Sequence, residues 1–190
     1  MIGLTIDALA VGDGAELARV ATEAHVAGFV DAVGDHNPIH SDPEYAAATM
    51  FGERIAPGIW TAGLISAVIG TRLPGPGTIY LSQDLKFLRP VKLGDAIRAR
   101  VEVVDINRER NRVRLRTACT NQRGEEVLTG EALVMPSRTP VRYEPETAAP
   151  WTALPWAWAA DGAAAMGVLG LLTLSSTMSW WLPRGVKGNG

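Results

Sequence analysis

Two hydrophobic periods divide this chain. In its first part the apolar positions recur at helical spacing; from Thr78 onward they alternate. Val26, Phe29, Val30 and Val33 outline one face of a helix, with Thr22 as its N-cap, Glu23 in its first turn and Gly34 at its end. A short helical run from Pro43 to Thr49 follows, capped by Ser41 or Asp42 and opened by Pro43. The run Ile59 to Gly70 is apolar almost all round, which predicts a buried central helix. Pro57-Gly58 starts it, and Leu73-Pro74-Gly75-Pro76-Gly77 stops it. Thr78 to Leu88, Ala96 to Ile106, Arg112 to Asn121 and Glu125 to Met135 then read as strands. Breaks fall at Arg89-Pro90, Gly94-Asp95, Asn107 to Asn111 and Gln122-Arg123-Gly124. Ahead of all this, Met1 to Arg19 shows only a short apolar run and a turn at Val11-Gly12-Asp13-Gly14.

Four consecutive strands joined by short turns predict an antiparallel sheet, and one apolar helix needs such a surface to bury against. The expected architecture is α+β, an antiparallel sheet curved around a central apolar helix. Periodicity is lost beyond Met135, so the domain is expected to occupy residues 1–143. Residues 144–190 are a Pro/Ala/Trp-rich tail holding five of the six tryptophans. Its stretch from Gly162 to Pro183 is uncharged and long enough to span a bilayer, with Arg184 and Lys187 beyond it. Glycines and five Ser or Thr residues dilute that stretch, so a loosely packed extension is expected ahead of a membrane anchor.

Composition narrows the classes further. With 18 basic and 20 acidic residues the chain has no net positive field to draw it to nucleic acid. The single cysteine, Cys119, excludes an internal disulfide and the cysteine-based zinc patterns, and fits a reducing cytoplasm. Asp7 and Asp13, with no basic residue before Arg19, are not the composition of a secretory signal.

The densest chemistry lies in Asp35-His36-Asn37-Pro38-Ile39-His40. Pro38 lacks an N–H and turns Asn37 away from helical geometry, so a bent loop is expected on which Asp35 and His40 point into one space. A carboxylate and an imidazole that converge can hold and deprotonate a water. The alternative is that both only bond nearby backbone, as loop residues often do. A metal pair of His36 and His40 would need them on one helix face, which Pro38 forbids, so no metal is expected. His25 reads as structural. Gly58, at the start of the apolar helix, offers free backbone N–H groups at the positive end of the helix dipole and lets a ligand approach closely; Pro57-Gly58 is also a common way to begin a helix. Arg98 and Arg100, like Arg112, Arg114 and Arg116, share one strand face, which is expected to be the wet face of the sheet, with a basic surface for an anionic ligand as the alternative.

The run Phe29-Val30-Asp31-Ala32-Val33-Gly34-Asp35-His36-Asn37-Pro38-Ile39-His40 resembles the signature of the MaoC-like hydratases, the (R)-specific enoyl-CoA hydratases of the hot-dog fold. The resemblance extends over roughly residues 9–137, through the helix after Pro57-Gly58 and the run Phe87-Leu88-Arg89-Pro90-Val91 before Gly94-Asp95. It implies reversible hydration of a trans-2-enoyl-CoA to the (R)-3-hydroxyacyl-CoA. Asp35 and His40 would then be the catalytic pair, Asn37 the support of their loop, and the Gly58 N–H the donor to the thioester carbonyl. Ile59, Trp60 and Gly63 would border the substrate, with Trp60 crowding the pocket in favour of short chains. Many relatives carry His-Gly where Pro57-Gly58 stands, and some a serine at the place of Gly63; the backbone donor survives both departures. The resemblance further implies an acyl-CoA substrate, no separate cofactor, no nucleic-acid partner and a homodimer paired through its sheets. The alternatives are an acyl-carrier-protein 3-hydroxyacyl dehydratase, a non-catalytic acyl-thioester binding module, and a membrane-tethered scaffold. The intact Asp35/His40 pair argues against the binding module, which needs no base.

Overall fold

The alternating segments pair into one sheet, in an order that departs from chain order. The structure, a computed structural model, describes residues 1–144. The expectations for the tail, loose extension or membrane anchor, lie outside the described residues. Strand β1 (Ile2–Gly3) precedes β2 (Gly14–Val20), and the helices α1 (Glu23–Val33), α2 (Pro38–Ser41), α3 (Pro43–Ala47) and α4 (Gly58–Thr71) follow. Then come β3 (Ile79–Phe87), β4 (Ala96–Asn107), β5 (Arg112–Thr120), β6 (Glu126–Met135) and β7 (Val141–Arg142). The five-stranded sheet has the order β2-β4-β5-β6-β3 and is antiparallel throughout. A two-stranded pairing of β1 with β7 ties the chain start to the residues before Tyr143.

Two expectations about the sheet are corrected. Gly14–Val20, taken as lying outside the strands, is an edge strand paired along its length with β4. Its Gly-Ala-Glu-Leu-Ala-Arg-Val composition has little alternation, and main-chain pairing to β4 supplies what its side chains do not. Likewise β3 is not the first strand of a meander. It pairs with β6 at the opposite edge, so the chain from Leu88 to Asp95 crosses to β4 on the far side of the sheet.

α4 packs against β2, β3, β4 and β5. Its residues Trp60, Thr61, Leu64, Ile65, Val68 and Ile69 are buried. Facing them are the inward residues of β4 (Ile97, Ala99, Val101 and Val103) and of β5 (Val113, Leu115, Thr117 and Cys119), all without solvent exposure. Each such Ile, Leu or Val contributes roughly 1.5–3 kcal/mol when fully buried. The helix is not enclosed on every side: Ile59, Gly63, Ser66 and Gly70 are exposed at spacings of four, three and four, one stripe along its outer surface. In α1 the buried positions are Val26 and Val30, with Phe29 half-buried; Val33, expected on that face, is exposed where the helix runs out past its support.

The outer sheet face carries the arginine rows, each set against acids. Glu16 stands opposite Arg100, and Arg116 lies between Glu102 and Glu131. Ion pairs join Arg98 to Glu16, Arg116 to Glu102 at 3.5 Å and Arg114 to Glu131 at 3.5 Å. Exposed pairs of this kind contribute about 0–1 kcal/mol. They leave a mixed-charge wet face and not the basic surface that was the alternative.

Candidate active site

Local chain chemistry sets the entry to the site. Thr22 caps α1 by accepting from the His25 N–H at 3.2 Å, and the His25 ring bonds the Val20 carbonyl, a structural role. Gly34 ends α1 in the left-handed region (φ 73°) and turns the chain, with its N–H on the Val30 carbonyl at 2.8 Å. Asn37 then caps a single helical turn, its side-chain oxygen accepting from the Ile39 N–H at 3.3 Å, with Pro38 at the first position. His40 therefore stands on a turn of helix and not on an open loop. Pro38, which forbids a helix through Asp35, favours one starting after Asn37. Asp42 ends α2 and caps α3, accepting from the N–H groups of Glu44 and Tyr45 at 2.9 and 3.0 Å.

This geometry brings Asp35 and His40 together: Nε2 of His40 is 3.6 Å from Oδ2 of Asp35. The imidazole is nearly enclosed, with 9% of its side chain exposed, while the carboxylate is 45% exposed. The other ring nitrogen, Nδ1, lies 2.8 Å from the Ile55 carbonyl. A carbonyl only accepts, so Nδ1 carries the hydrogen, and in the neutral ring Nε2 is left with its lone pair toward Asp35. Ile55 belongs to a short strap. Its N–H reaches the Ile39 carbonyl at 3.4 Å, and the next N–H, of Ala56, donates to the Val91 carbonyl at 2.8 Å. Two residues further on, the strap becomes the start of α4. Pro57 is the N-cap and supplies no side-chain acceptor; its carbonyl takes the Trp60 N–H at 3.0 Å, which leaves the N–H groups of Gly58 and Ile59 uncapped among the described residues. One strap thus orients the imidazole and delivers Gly58.

Beside Gly58 opens an apolar cavity of about 490 Å³, lined among others by Phe51, Ile55, Gly58, Phe87, Leu88 and Arg89. A smaller cavity of about 220 Å³ lies on the His40 side, bordered by polar groups of Glu23, Asp31, His36, Ser41 and Arg54. Of the residues expected to border substrate, Ile59 lines the cavity beside Gly58. Trp60 and Gly63 do not. Trp60 is buried and lines a separate hollow with Arg19, His25, Phe29 and Leu64, and Gly63 sits on the exposed stripe of α4. At about 100° per residue, Trp60 points some 200° away from Gly58, so it cannot crowd the same space. Thr61, three residues after Gly58 and hence on its face, lines the cavity instead. That spacing was legible in the sequence. Phe87 was legible as the end of a strand and Arg89 as the break after it, neither of them as cavity lining, and the Ile55 carbonyl, a main-chain group, leaves no sequence signal at all.

Among the described residues no three His, Cys, Asp or Glu side chains cluster as a metal site, and no helix is long and apolar enough to cross a membrane. The Cys119 thiol, deep in the core, is pushed up to about 12 by burial and is no nucleophile.

Comparison with known proteins sets this geometry in a family. Residues 11–123 match the model of the MaoC like domain. The chain is 52% identical over 132 residues to the 3-hydroxybutyryl-CoA dehydratase of Methylorubrum extorquens, covering 69% of this chain and 83% of that protein. It is 47% identical over 124 residues to the (R)-specific enoyl-CoA hydratase of Rhodospirillum rubrum, covering 65% and 85%. Among solved structures, the R-hydratase PhaJ1 from Pseudomonas aeruginosa in its unliganded form superposes with a TM-score of 0.74 at 44% identity, over 78% of this chain and 96% of that one.

Proposed function

The chain belongs to the MaoC-like domain family, and from that premise we propose that it is a hydro-lyase that adds water to a trans-2-enoyl-CoA to give the (R)-3-hydroxyacyl-CoA and runs the reverse dehydration. The observation that carries this reading is the His40 ring, bonded through Nδ1 to the Ile55 carbonyl at 2.8 Å while Nε2 stands 3.6 Å from Asp35. That separation is too long for a direct hydrogen bond and suits one shared water. A water donating one hydrogen to Nε2 and the other to Oδ2 turns a lone pair outward. Its oxygen bonds to C3 of the enoyl group and its proton passes to Nε2. The π electrons move toward the thioester oxygen as an enolate, and C2 then takes the proton, completing the addition. The Gly58 N–H donates to the thioester oxygen where that charge gathers; a donor of this kind is worth about 3–4 kcal/mol in the transition state. Asn37 holds the turn that aims His40. CoA enters as part of the substrate, and neither a metal nor a redox group takes part.

The unit that does this is residues 1–143, in the cytoplasm, as a homodimer paired along β3. Supporting the pairing, β3 is bonded among the described residues on one side only, to β6, and exposes Ile79, Leu81 and Phe87. Unpaired apolar edges of that kind invite another strand. Leu81→Lys is expected to halve the sedimenting mass; a wild type that already sediments as a monomer would count against the pairing.

The test of the reaction follows loss of the enoyl-thioester absorbance on adding crotonyl-CoA to wild type, Asp35→Asn and His40→Ala, with the product's chirality assigned. Hydration to the (R) product, lost in both folded variants, is the expected result. A folded wild type that binds acyl-CoA without hydrating it would overturn the reading.

A further inference from the structure

Phe87 closes β3, its backbone held in the sheet opposite Leu128, while its side chain stays 53% exposed. Its ring lies against the first residue of α4. A Cβ built on Gly58 would stand 2.7 Å from Cε1 of Phe87, 3.0 Å from Cδ1 and 3.2 Å from Cζ. Gly58 therefore lets the ring come into direct contact with the helix end, so that the ring walls the cavity immediately beside the first N–H groups of α4. Both residues line the same apolar cavity. The flat aromatic face matches a flat group, and an α,β-unsaturated thioester is planar and conjugated from C3 to the carbonyl oxygen. An apolar ring beside those donors lowers the local dielectric, which strengthens any hydrogen bond they make.

We propose that Phe87 is a positioning residue for the hydration, the wall that holds the conjugated thioester flat so that its carbonyl oxygen meets the Gly58 N–H. This rests on the hydratase reading above. Phe87 exchanges neither proton nor electrons with the substrate; it acts through the geometry of the carbonyl. The ring's edge-strand position is consistent with that role, since the backbone is fixed by β6 while the side chain is free of the core.

The experiment reads the carbonyl directly. Butyryl-CoA labelled with ¹³C at the thioester carbonyl, saturated and so unable to react, is bound to wild type, Phe87→Tyr, Phe87→Leu and Phe87→Ala. The carbonyl stretch is measured by difference infrared spectroscopy, alongside kcat and KM on crotonyl-CoA and the unfolding midpoint. In wild type and Phe87→Tyr the band is expected well below its solution frequency. In Phe87→Ala it returns most of the way, and kcat falls about tenfold with a smaller change in KM, as a misplaced reacting group would cause. Phe87→Leu, which keeps apolar bulk without the flat face, lies between and guards against a fold defect in the smaller variant. A carbonyl band in Phe87→Ala unchanged from wild type would overturn the proposal, as would unaltered crotonyl-CoA kinetics. Failure of the hydratase reading looks different: a shifted band in wild type with no turnover of crotonyl-CoA at all.

Discussion

Between α4 and the sheet, Ile65, Val68 and Ile69 share one core with Val101, Val103 and Leu115, and almost none of their surface reaches solvent. From Asp35 to Gly58, only Ala46, Ala56 and Pro57 are buried, and the chain keeps its shape through caps, a strap and single hydrogen bonds. In the first region the sum of many small contacts decides everything, and no one polar atom matters. In the second, a small number of directed hydrogen bonds sets the geometry. The core and the proposed chemistry therefore lie in different parts of the domain, and substitutions should separate them.

The largest effects test that separation from both sides. Asp35→Asn, a near-isosteric change at a half-exposed site, is expected to lower the crotonyl-CoA rate roughly 10²- to 10⁴-fold while leaving the urea midpoint where it was. Ile65→Ala should do the reverse, costing about 2–5 kcal/mol of stability with the folded fraction still active. If Asp35→Asn unfolds the domain, or Ile65→Ala abolishes turnover without unfolding it, the two regions are not distinct. Gly58→Ala comes next because it keeps the N–H yet drives a methyl into the Phe87 ring. A rate loss of roughly 10²-fold is expected, as for a displaced reacting group, against a stability change of about 1 kcal/mol; unaltered initial rates would show that the contact between Gly58 and the ring does not shape the site. Asp42→Ala sharpens the boundary, since Asp42 joins α2 to α3. It should cost about 1 kcal/mol, and the rate should fall only severalfold because Ile55 still holds the His40 ring. Smallest of all is the response of Cys119. With its pKa pushed up to about 12, the thiolate is scarce at pH 8, so iodoacetamide should leave the native thiol untouched and label it only after denaturation; labelling of the native protein would mean the core opens more than its burial implies.

The sheet has two edges that repeat the contrast. β2 carries Glu16, paired with Arg98, and the charged Arg19, whereas β3 leaves Ile79, Leu81 and Phe87 in the open. Charge blunts the first edge; the second is left apolar, with the Phe87 ring at its end.

Local chemistry was legible without tertiary structure. Thr22, Gly34, Asn37 and Asp42 cap or end helices because short side chains or a missing Cβ satisfy the end groups next to them in the chain. The alternation through β4 and β5 sorts inward valines from outward arginines because side chains on a strand point to opposite faces in turn. The pairing of Asp35 with His40 was equally close at hand, both residues lying on one bend. Other features had no local cause. β2 exists as a strand because β4 offers it hydrogen bonds. β3 lies at the far edge because its partner, β6, comes some forty residues later. Trp60 turned out of the cavity and Thr61 into it because helix rotation, not nearness in sequence, decides what Gly58 faces. The Ile55 carbonyl selects the His40 tautomer across fifteen residues, through a main-chain atom that every residue type carries. What side chains and spacing encode, the sequence determined by itself; what main-chain groups do for one another across space was decided by the tertiary structure alone, because backbone hydrogen bonds carry no residue identity.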